Sequence, residues 1–231
     1  MKKTILIAAI LSTCIGVTKA SISVEIRKID SVSYFALKEK TNLQNQKVEL
    51  QKITDLEQIR QTFKDFLIWG SWSDTTKSFV VDNNGSAVLK IAFRNGKTDF
   101  VDDGFGVYKP TVTYYQEEDI LTLEGEMFNA ESFNLTSGRQ TENPQFFIFS
   151  SSRKFRLNGR EAPEGAYHFI EEKIDGEYQE VVSIFDEFEK KEGFGLYFVL
   201  DAFWESDSVL NVITTIYPGQ FENLYYQVIL K

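Results

Sequence analysis

The sequence predicts a β-dominated α+β fold in which one N-terminal amphipathic helix packs on antiparallel sheet. Short segments of alternating apolar and polar residues recur along most of the 231 residues, a pattern typical of half-buried strands. Asn-Gly or Asp-Gly dipeptides lie between several of these segments, and they favour tight hairpin turns because both turn residues need positive φ. The clearest helical spacing lies between Thr54 and Trp69.

The first 20 residues have the pattern of a signal peptide. Two lysines precede the apolar run Ile5–Leu11, and Thr18-Lys19-Ala20 supplies small residues before a cleavage point at Ser21. The apolar run is shorter than the roughly 20 residues that span a bilayer, and no later run is long enough, so no transmembrane helix is expected. The sequence therefore predicts a secreted or periplasmic bacterial protein whose mature chain, residues 21–231, is one β-rich domain.

Cys14 supports an alternative fate for the N-terminal segment. Leu11-Ser12-Thr13-Cys14 resembles a bacterial lipobox, in which cleavage before the cysteine would leave it to carry a lipid anchor. Threonine departs from the small residue usual just before that cysteine. Lipidation at Cys14 would make the protein a surface or outer-membrane lipoprotein.

The predicted helix is defined by apolar spacing and by its ends. Leu56, Ile59 and Phe63 recur every three or four residues, as one face of a helix requires. Thr54 with Glu57 has the form of a capping box, and Gly70 ends the pattern. The strands predicted around this helix cover residues 21–28, 32–37, 78–82, 87–93, 106–115, 119–128, 145–151, 153–158, 166–174, 195–204, 208–217 and 222–230.

Two segments of the chain resemble each other. Asp103–Tyr108 (DGFGVY) matches Glu192–Tyr197 (EGFGLY), and the similarity continues without a gap to residues 123 and 212. Such self-similarity predicts a duplicated β-meander unit, with halves of about 66–128 and 146–217. It also bears on residues 178–188, whose apolar spacing fits either a helix or a strand. If residues 181–184 correspond to residues 88–91, they form a strand.

Composition excludes several chemistries. Removal of residues 1–20 takes away three lysines and the only cysteine, and it lowers the formal charge from −9 to −12. A mature chain without cysteine has no disulfide and no thiol nucleophile, and its single histidine cannot form a multi-histidine metal site. Strong acidity disfavours nucleic acid as a partner. We therefore predict no cofactor and no metal ligand.

No catalytic residue is assigned. His168 is the only histidine and has apolar neighbours, so a structural role is favoured over that of a base. Carboxylates are abundant in clusters such as Glu171/Glu172, and a paired-carboxylate hydrolase therefore stays an alternative. On balance an enzyme is the less favoured class.

Aromatic residues beside carboxylates are the candidate binding residues. Tryptophan and tyrosine have an apolar ring with a polar edge, which suits them to protein and sugar contacts. The candidates for partner binding are Trp72, Asp102, Asp103, Tyr115, Glu117, Glu118 and Trp204.

The favoured function is non-enzymatic binding by an exported protein, with an inhibitor or immunity-type protein that caps a basic protein partner as the specific form. Negative charge steers cationic partners, although it also keeps proteins soluble. The first alternative is a module that binds or cleaves carbohydrate, and the second is a structural surface lipoprotein. The inhibitor predicts an acidic surface without a deep cleft. The carbohydrate module predicts a groove lined by aromatics with two carboxyl groups facing across it.

Overall fold

The structure is a computed structural model that describes residues 22–44, 50–100, 111–125, 130–162, 165–196, 198–215 and 222–231. These residues form seventeen β-strands and three α-helices. The helices are α1 (Ser31–Gln44), α2 (Leu56–Thr62) and α3 (Ile184–Glu192). The strands are β1 (Val24–Ile29), β2 (Lys52–Ile53), β3 (Leu67–Ser73), β4 (Ser78–Val81), β5 (Ala87–Ala92), β6 (Thr98–Phe100), β7 (Thr111–Tyr115), β8 (Ile120–Glu124), β9 (Ala130–Asn134), β10 (Arg139–Thr141), β11 (Ile148–Phe149), β12 (Phe155–Ala162), β13 (Gly165–Ile174), β14 (Glu177–Ser183), β15 (Val199–Ser206), β16 (Val209–Thr214) and β17 (Leu224–Leu230).

The strands form four antiparallel sheets, which confirms the β-dominated prediction. Sheet A has the order β1-β17-β16-β15, and sheet B the order β10-β9-β8-β7-β2. Sheet C has the order β4-β3-β5-β6, and sheet D the order β11-β12-β13-β14. No helix in the described ranges is both long and apolar enough to cross a membrane.

Sheets A and D enclose the largest apolar core together with α3. Strand β17 shows how alternation builds it, because Leu224, Tyr226, Val228 and Leu230 are buried while the residues between them are half-buried. Phe188 of α3 packs edge-on against the ring of Tyr226, with centroids 5.0 Å apart. On the opposite face of sheet A lies α1. The sheet is therefore covered on both sides.

Sheets B and C enclose a second core with α2. Phe63, just after α2, packs edge-on against Tyr114 of β7 with ring centroids 4.7 Å apart. Ile59 of α2 and Leu121 of β8 are fully buried in the same cluster. Because residues of a strand alternate between faces, Tyr115 and Ile120 point away from this core. They pack instead with Phe147, in the connection that leads to sheet D.

The N-terminal helical content differs from the prediction. Residues 32–37, predicted as a strand, lie inside α1, where the Asp30 carboxylate accepts hydrogen bonds from the backbone N–H (2.8 Å) and hydroxyl (2.9 Å) of Ser33. Tyr34 and Thr41 are buried on one side of α1. The helix was not predicted because the apolar residues of so short a segment fit both the helical repeat of about 3.6 residues and the strand repeat of two.

The helix predicted over residues 54–69 is much shorter in the structure. Helix α2 spans seven residues and is capped by Asp55, whose carboxylate accepts from Gln58 N at 2.7 Å, rather than by Thr54. The chain turns after Phe63, and Leu67 begins β3, the strand between β4 and β5. The apolar spacing continued past the helix because Leu67 and Trp69 face the same core from the strand.

The predicted duplication is not confirmed. Two hairpins, β7–β8 and β15–β16, do occupy matching positions of the two segments. However, the strand order of sheet C differs from that of sheet D, and β5 runs through Ile91 whereas β14 ends at Ser183. Ser183 caps α3, so residues 178–188 form a strand followed by a helix.

Candidate functional site

A cleft of about 270 Å³ lies between sheet B and sheet D and is the candidate site. We call it the acidic cleft and define it by its lining. Sheet B and its turns contribute Glu117, Glu118, Ile120, Asn134, Ser137, Arg139, Gln140, Thr141 and Glu142. Sheet D contributes Arg156, Phe169, Glu171, Lys173, Gly176, Glu177, Tyr178 and Glu180. Six carboxylates therefore face three cationic side chains.

The β7–β8 turn brings Glu117 and Glu118 into the cleft, and Asp119 holds that turn. Asp119 has φ +51°, a conformation that non-glycine residues rarely adopt. Its carboxylate accepts hydrogen bonds from Arg94 Nε (2.9 Å), Tyr114 Oη (3.0 Å) and Thr136 Oγ1 (2.7 Å). Asp119 therefore positions the two glutamates without lining the cleft itself.

The pKa of Asp119 lies below its ordinary value. Burial raises this pKa, but the hydrogen bonds from Arg94, Thr136 and Tyr114 and the charge of Arg94 lower it by more. Because the folded-state pKa lies below the unfolded value of about 3.9, Asp119 stabilises the fold above about pH 4, and this stabilisation is lost as pH falls through the folded pKa.

The substitution Asp119→Asn is expected to lower the free energy of unfolding by about 1–3 kcal/mol at neutral pH, because it removes the charged acceptor of four hydrogen bonds from three side chains. Urea denaturation of both proteins from about pH 7 to about pH 2 measures this. The difference between the two should be constant above about pH 5 and shrink below it. A difference that is the same at every pH would contradict the role assigned to the ionised carboxylate.

A buried arginine forms the floor of the cleft. The side chain of Arg156 is only 4% exposed, and its Nε donates to Glu171 Oε2 at 2.5 Å. Its Nη1 lies 3.5 Å from Glu118 Oε2. The guanidinium carbon lies 3.7 Å from the ring centroid of Phe147 and 4.1 Å from that of Tyr178. The two carboxylates compensate a charge that would be costly to bury alone.

Arg153 adds a second ionic link between the β7–β8 turn and sheet D. Its two terminal amino groups donate to Glu117 and Glu118, and its guanidinium lies 4.6 Å from the ring centroid of Phe149. The phenol of Tyr178 donates to the carbonyl oxygen of Arg153 at 2.6 Å. Burial, reinforced by the charge of Glu118, raises the pKa of Tyr178 to about 12, so this tyrosine is a neutral donor.

The carboxylates farther along the cleft are more open. Glu180 is exposed, and Glu177 is half-exposed, with its Oε2 3.9 Å from Nη1 of Arg139. Arg139 is 77% exposed, so this contact across the mouth of the cleft is a weak, solvent-screened pair. The rim therefore keeps its negative charge accessible to a ligand.

The residues predicted for partner binding are distributed over the whole molecule. Glu117 and Glu118 lie in the acidic cleft. Tyr115 and Trp204 are each only 4% exposed, so their rings belong to the core and offer no surface to a partner. Trp72 is 40% exposed but lies on sheet C, where its ring packs edge-on against Phe79. Asp102, Asp103 and Cys14 lie outside the described residues.

The residues predicted for partner binding did not include the sheet D side of the site, although Glu171 was singled out as a member of a carboxylate cluster. Arg156 and Asn158 alternate with buried Phe155 and Leu157 in β12, and this alternation predicts that both polar residues share one face of the strand. Asn158 Nδ2 donates to Glu171 Oε2 at 3.0 Å and completes the carboxylate's contacts. Local sequence could therefore indicate a polar face here, but not what covers it.

The described residues include no group of three or more His, Cys, Asp or Glu arranged to hold a metal ion. His168 lies on β13 with Nδ1 3.3 Å from the carbonyl oxygen of Leu196, and it packs against Gly159, where a Cβ would lie 3.1 Å from its ring. These contacts pack the imidazole ring of His168 against neighbouring backbone, as in a structural role.

The fold and cleft thus define a β-dominated protein of four antiparallel sheets with a carboxylate-rich cleft between two of them. No protein-family model, curated protein or solved structure matches the chain.

Proposed function

We propose that this chain is an exported, non-enzymatic binding protein that caps a basic protein partner at the acidic cleft. The observation that carries the proposal is the lining of the cleft, in which six carboxylates outnumber three cations. Negative potential focused in a concave site attracts cationic ligands and speeds their association. Export to the periplasm or exterior is part of the proposal and rests on the pattern of residues 1–20.

The contacts of the cleft support protein binding more than carbohydrate chemistry. Its two aromatic lining residues are Phe169, which is buried, and Tyr178, whose ring stacks on Arg156 and contacts Phe149. Sugar binding usually uses open aromatic faces. Glu118 and Glu171 share the guanidinium of Arg156, an arrangement that suits charge neutralisation better than proton transfer to a glycosidic oxygen.

Binding of short poly-L-lysine, followed by isothermal titration calorimetry, tests the proposal. The double variant Glu177→Gln/Glu180→Gln is expected to bind about three- to tenfold more weakly, since exposed ion pairs contribute about 0.2–1 kcal/mol each. The matched control is Glu57→Gln/Asp74→Asn, which removes two exposed carboxylates elsewhere. The control should bind almost like the unmodified protein.

Salt dependence provides the second readout. Affinity should fall steeply between about 0.05 and 0.5 M NaCl, because screening shortens the range of the attraction. An equal loss of affinity in both double variants would show that net charge alone drives binding, and it would overturn the cleft as the site. Absence of binding to poly-L-lysine at low salt would overturn the proposed function itself.

A further inference from the structure

We propose that the partner enters the acidic cleft as an extended segment, which adds a strand to the open edge of β14 and presents lysine or arginine at alternate positions. This inference rests on the proposed function and specifies the form in which the basic partner binds. It combines three features of the cleft: an open strand edge, carboxylates beside that edge, and a buried guanidinium on the floor.

Strand β14 is the outer strand of sheet D and, in the described part of the chain, pairs with β13 alone. The turn between them has positive φ at Asp175 (52°) and Gly176 (90°), as in a type I′ hairpin. In that hairpin Ile174 and Glu177 flank the turn, and the backbone N–H of each donates to the carbonyl oxygen of the other. Hydrogen-bonded pairs then alternate along the two strands with pairs that are not hydrogen-bonded to each other, the first of which is Lys173 and Tyr178. The peptide groups of Tyr178 and Glu180 therefore point away from β13, toward the open edge.

The cleft opens over the face of sheet D that ends at this edge. Tyr178 and Glu180 of β14 line it beside their cross-strand neighbours Lys173 and Glu171 of β13, and Arg139–Thr141 of β10 line it from sheet B. Strand β10 is itself an outer strand, of sheet B. Unpaired strand edges are templates for pairing with another chain, and strand addition at such an edge is a recurrent mode of peptide recognition.

Charge complementarity selects the side chains of the added strand. Side chains on one face of a strand repeat every two residues, so alternate residues of an added segment would face the carboxylates of the cleft. Glu180 is an accessible carboxylate on the face of β14 that lines the cleft with Tyr178. Glu177 lies on the other face of the strand by alternation and reaches the cleft at the turn end of β14. A basic residue at a cleft-facing position of the added strand would meet Glu180 without burying an unpaired charge.

Arg156 distinguishes a peptide from a simple cation. The side chain of Arg156 lines the cleft and is only 4% exposed. Within the described residues its hydrogen bonds use Nε and Nη1, and none uses Nη2. A ligand that meets this guanidinium needs an acceptor oxygen. A polypeptide supplies carbonyl acceptors, amide donors and cationic side chains together, whereas a polyamine supplies only donors and charge.

The test uses two peptides of alternating lysine and valine that differ only in their backbone. One has ordinary amides, and the other is N-methylated at every second amide, so that its charge is unchanged but its edge-facing donors are lost. The full chain is titrated with each by calorimetry. The N-methylated peptide is expected to bind about tenfold or more weakly, since each hydrogen bond contributes about 0.5–1.5 kcal/mol.

Amide hydrogen exchange locates the binding edge. The unmethylated peptide should slow exchange at the amides of Tyr178 and Glu180, which an added strand would pair, and leave β4 at the outer edge of sheet C unchanged. Equal binding of both peptides would overturn strand addition while leaving charge-based capping intact. Failure of both peptides to bind, with poly-L-lysine also unbound, would instead overturn the proposed function. Protection of Tyr178 and Glu180 by a neutral oligosaccharide but not by the peptide would identify a glycan site.

Discussion

Replacing Arg156 with leucine is expected to lower the free energy of unfolding by about 3–5 kcal/mol, the usual cost of removing one partner from a buried ion pair. Its carboxylate partners Glu118 and Glu171 are only 6% and 11% exposed. Without the guanidinium, Glu171 keeps, within the described residues, the hydrogen bond from Asn158 alone. Urea denaturation followed by circular dichroism measures the change. Because domains are stable by only about 5–15 kcal/mol, a wholly unfolded variant is also consistent with this expectation.

The control is Arg139→Leu, which removes an exposed arginine of the same cleft and should change the unfolding free energy by less than about 0.5 kcal/mol. Combining Arg156→Leu with Glu171→Leu should recover part of the loss, because the uncompensated carboxylate disappears with its partner. A cost below about 1 kcal/mol for Arg156→Leu alone would contradict the assignment of a buried ionic floor to the cleft.

Replacing Trp204 with alanine is expected to cost about 3–5 kcal/mol of unfolding free energy, as for large aromatic truncations in cores. Trp204 is 4% exposed, its ring stacks on Phe155 with centroids 6.2 Å apart, and its Nε1 donates to the carbonyl oxygen of Ile148 at 2.8 Å. Trp72→Ala provides a matched comparison, because Trp72 is 40% exposed. Its cost should stay near about 1 kcal/mol.

The comparison between the two tryptophans separates a core role from a binding role. Trp204→Ala could instead leave the denaturation midpoint unchanged and weaken binding of poly-L-lysine. That result would support the sequence-based assignment of Trp204 to partner binding and contradict its assignment to the core. The variant Trp204→Phe keeps most of the ring but loses the indole hydrogen bond, so its cost should be smaller than that of alanine, about 1–2 kcal/mol.

Strands and their turns were the most predictable features. The predicted strand at residues 166–174 lies within β13, the one at residues 153–158 overlaps β12 from Phe155 onward, and the Asp175-Gly176 turn joins β13 to β14. Alternation and turn chemistry depend on residues that are close in sequence, so they could be recognised locally.

Helices were less predictable, because their short apolar patterns fit two structures. Residues 32–37 fall in α1, and residues 67–69 leave the predicted helix for β3. The burial of Tyr34 against Phe203 of sheet A and of Trp69 in the sheet B–sheet C core comes from packing partners distant in the chain. Tertiary contacts of this kind override local propensity.

Half of the candidate site was predictable. Glu117 and Glu118 were indicated by their position in an acidic turn beside an aromatic strand, and the structure places both in the cleft. Arg153 and Arg156, which hold them there, are more than 30 residues further along the chain. No local pattern connects these residues, because an ion pair requires only that the folded chain bring them together.

By itself, the sequence determined that the chain is acidic, that antiparallel strands dominate the fold, and where several tight turns fall, because these properties arise from composition and from neighbouring residues. The tertiary structure decided that Trp204 is buried while Trp72 is exposed, and that sheets B and D face each other across a carboxylate-lined cleft. Alternation tells which residues share a face of a strand, but only the packing of sheet against sheet determines which face becomes core and which becomes site.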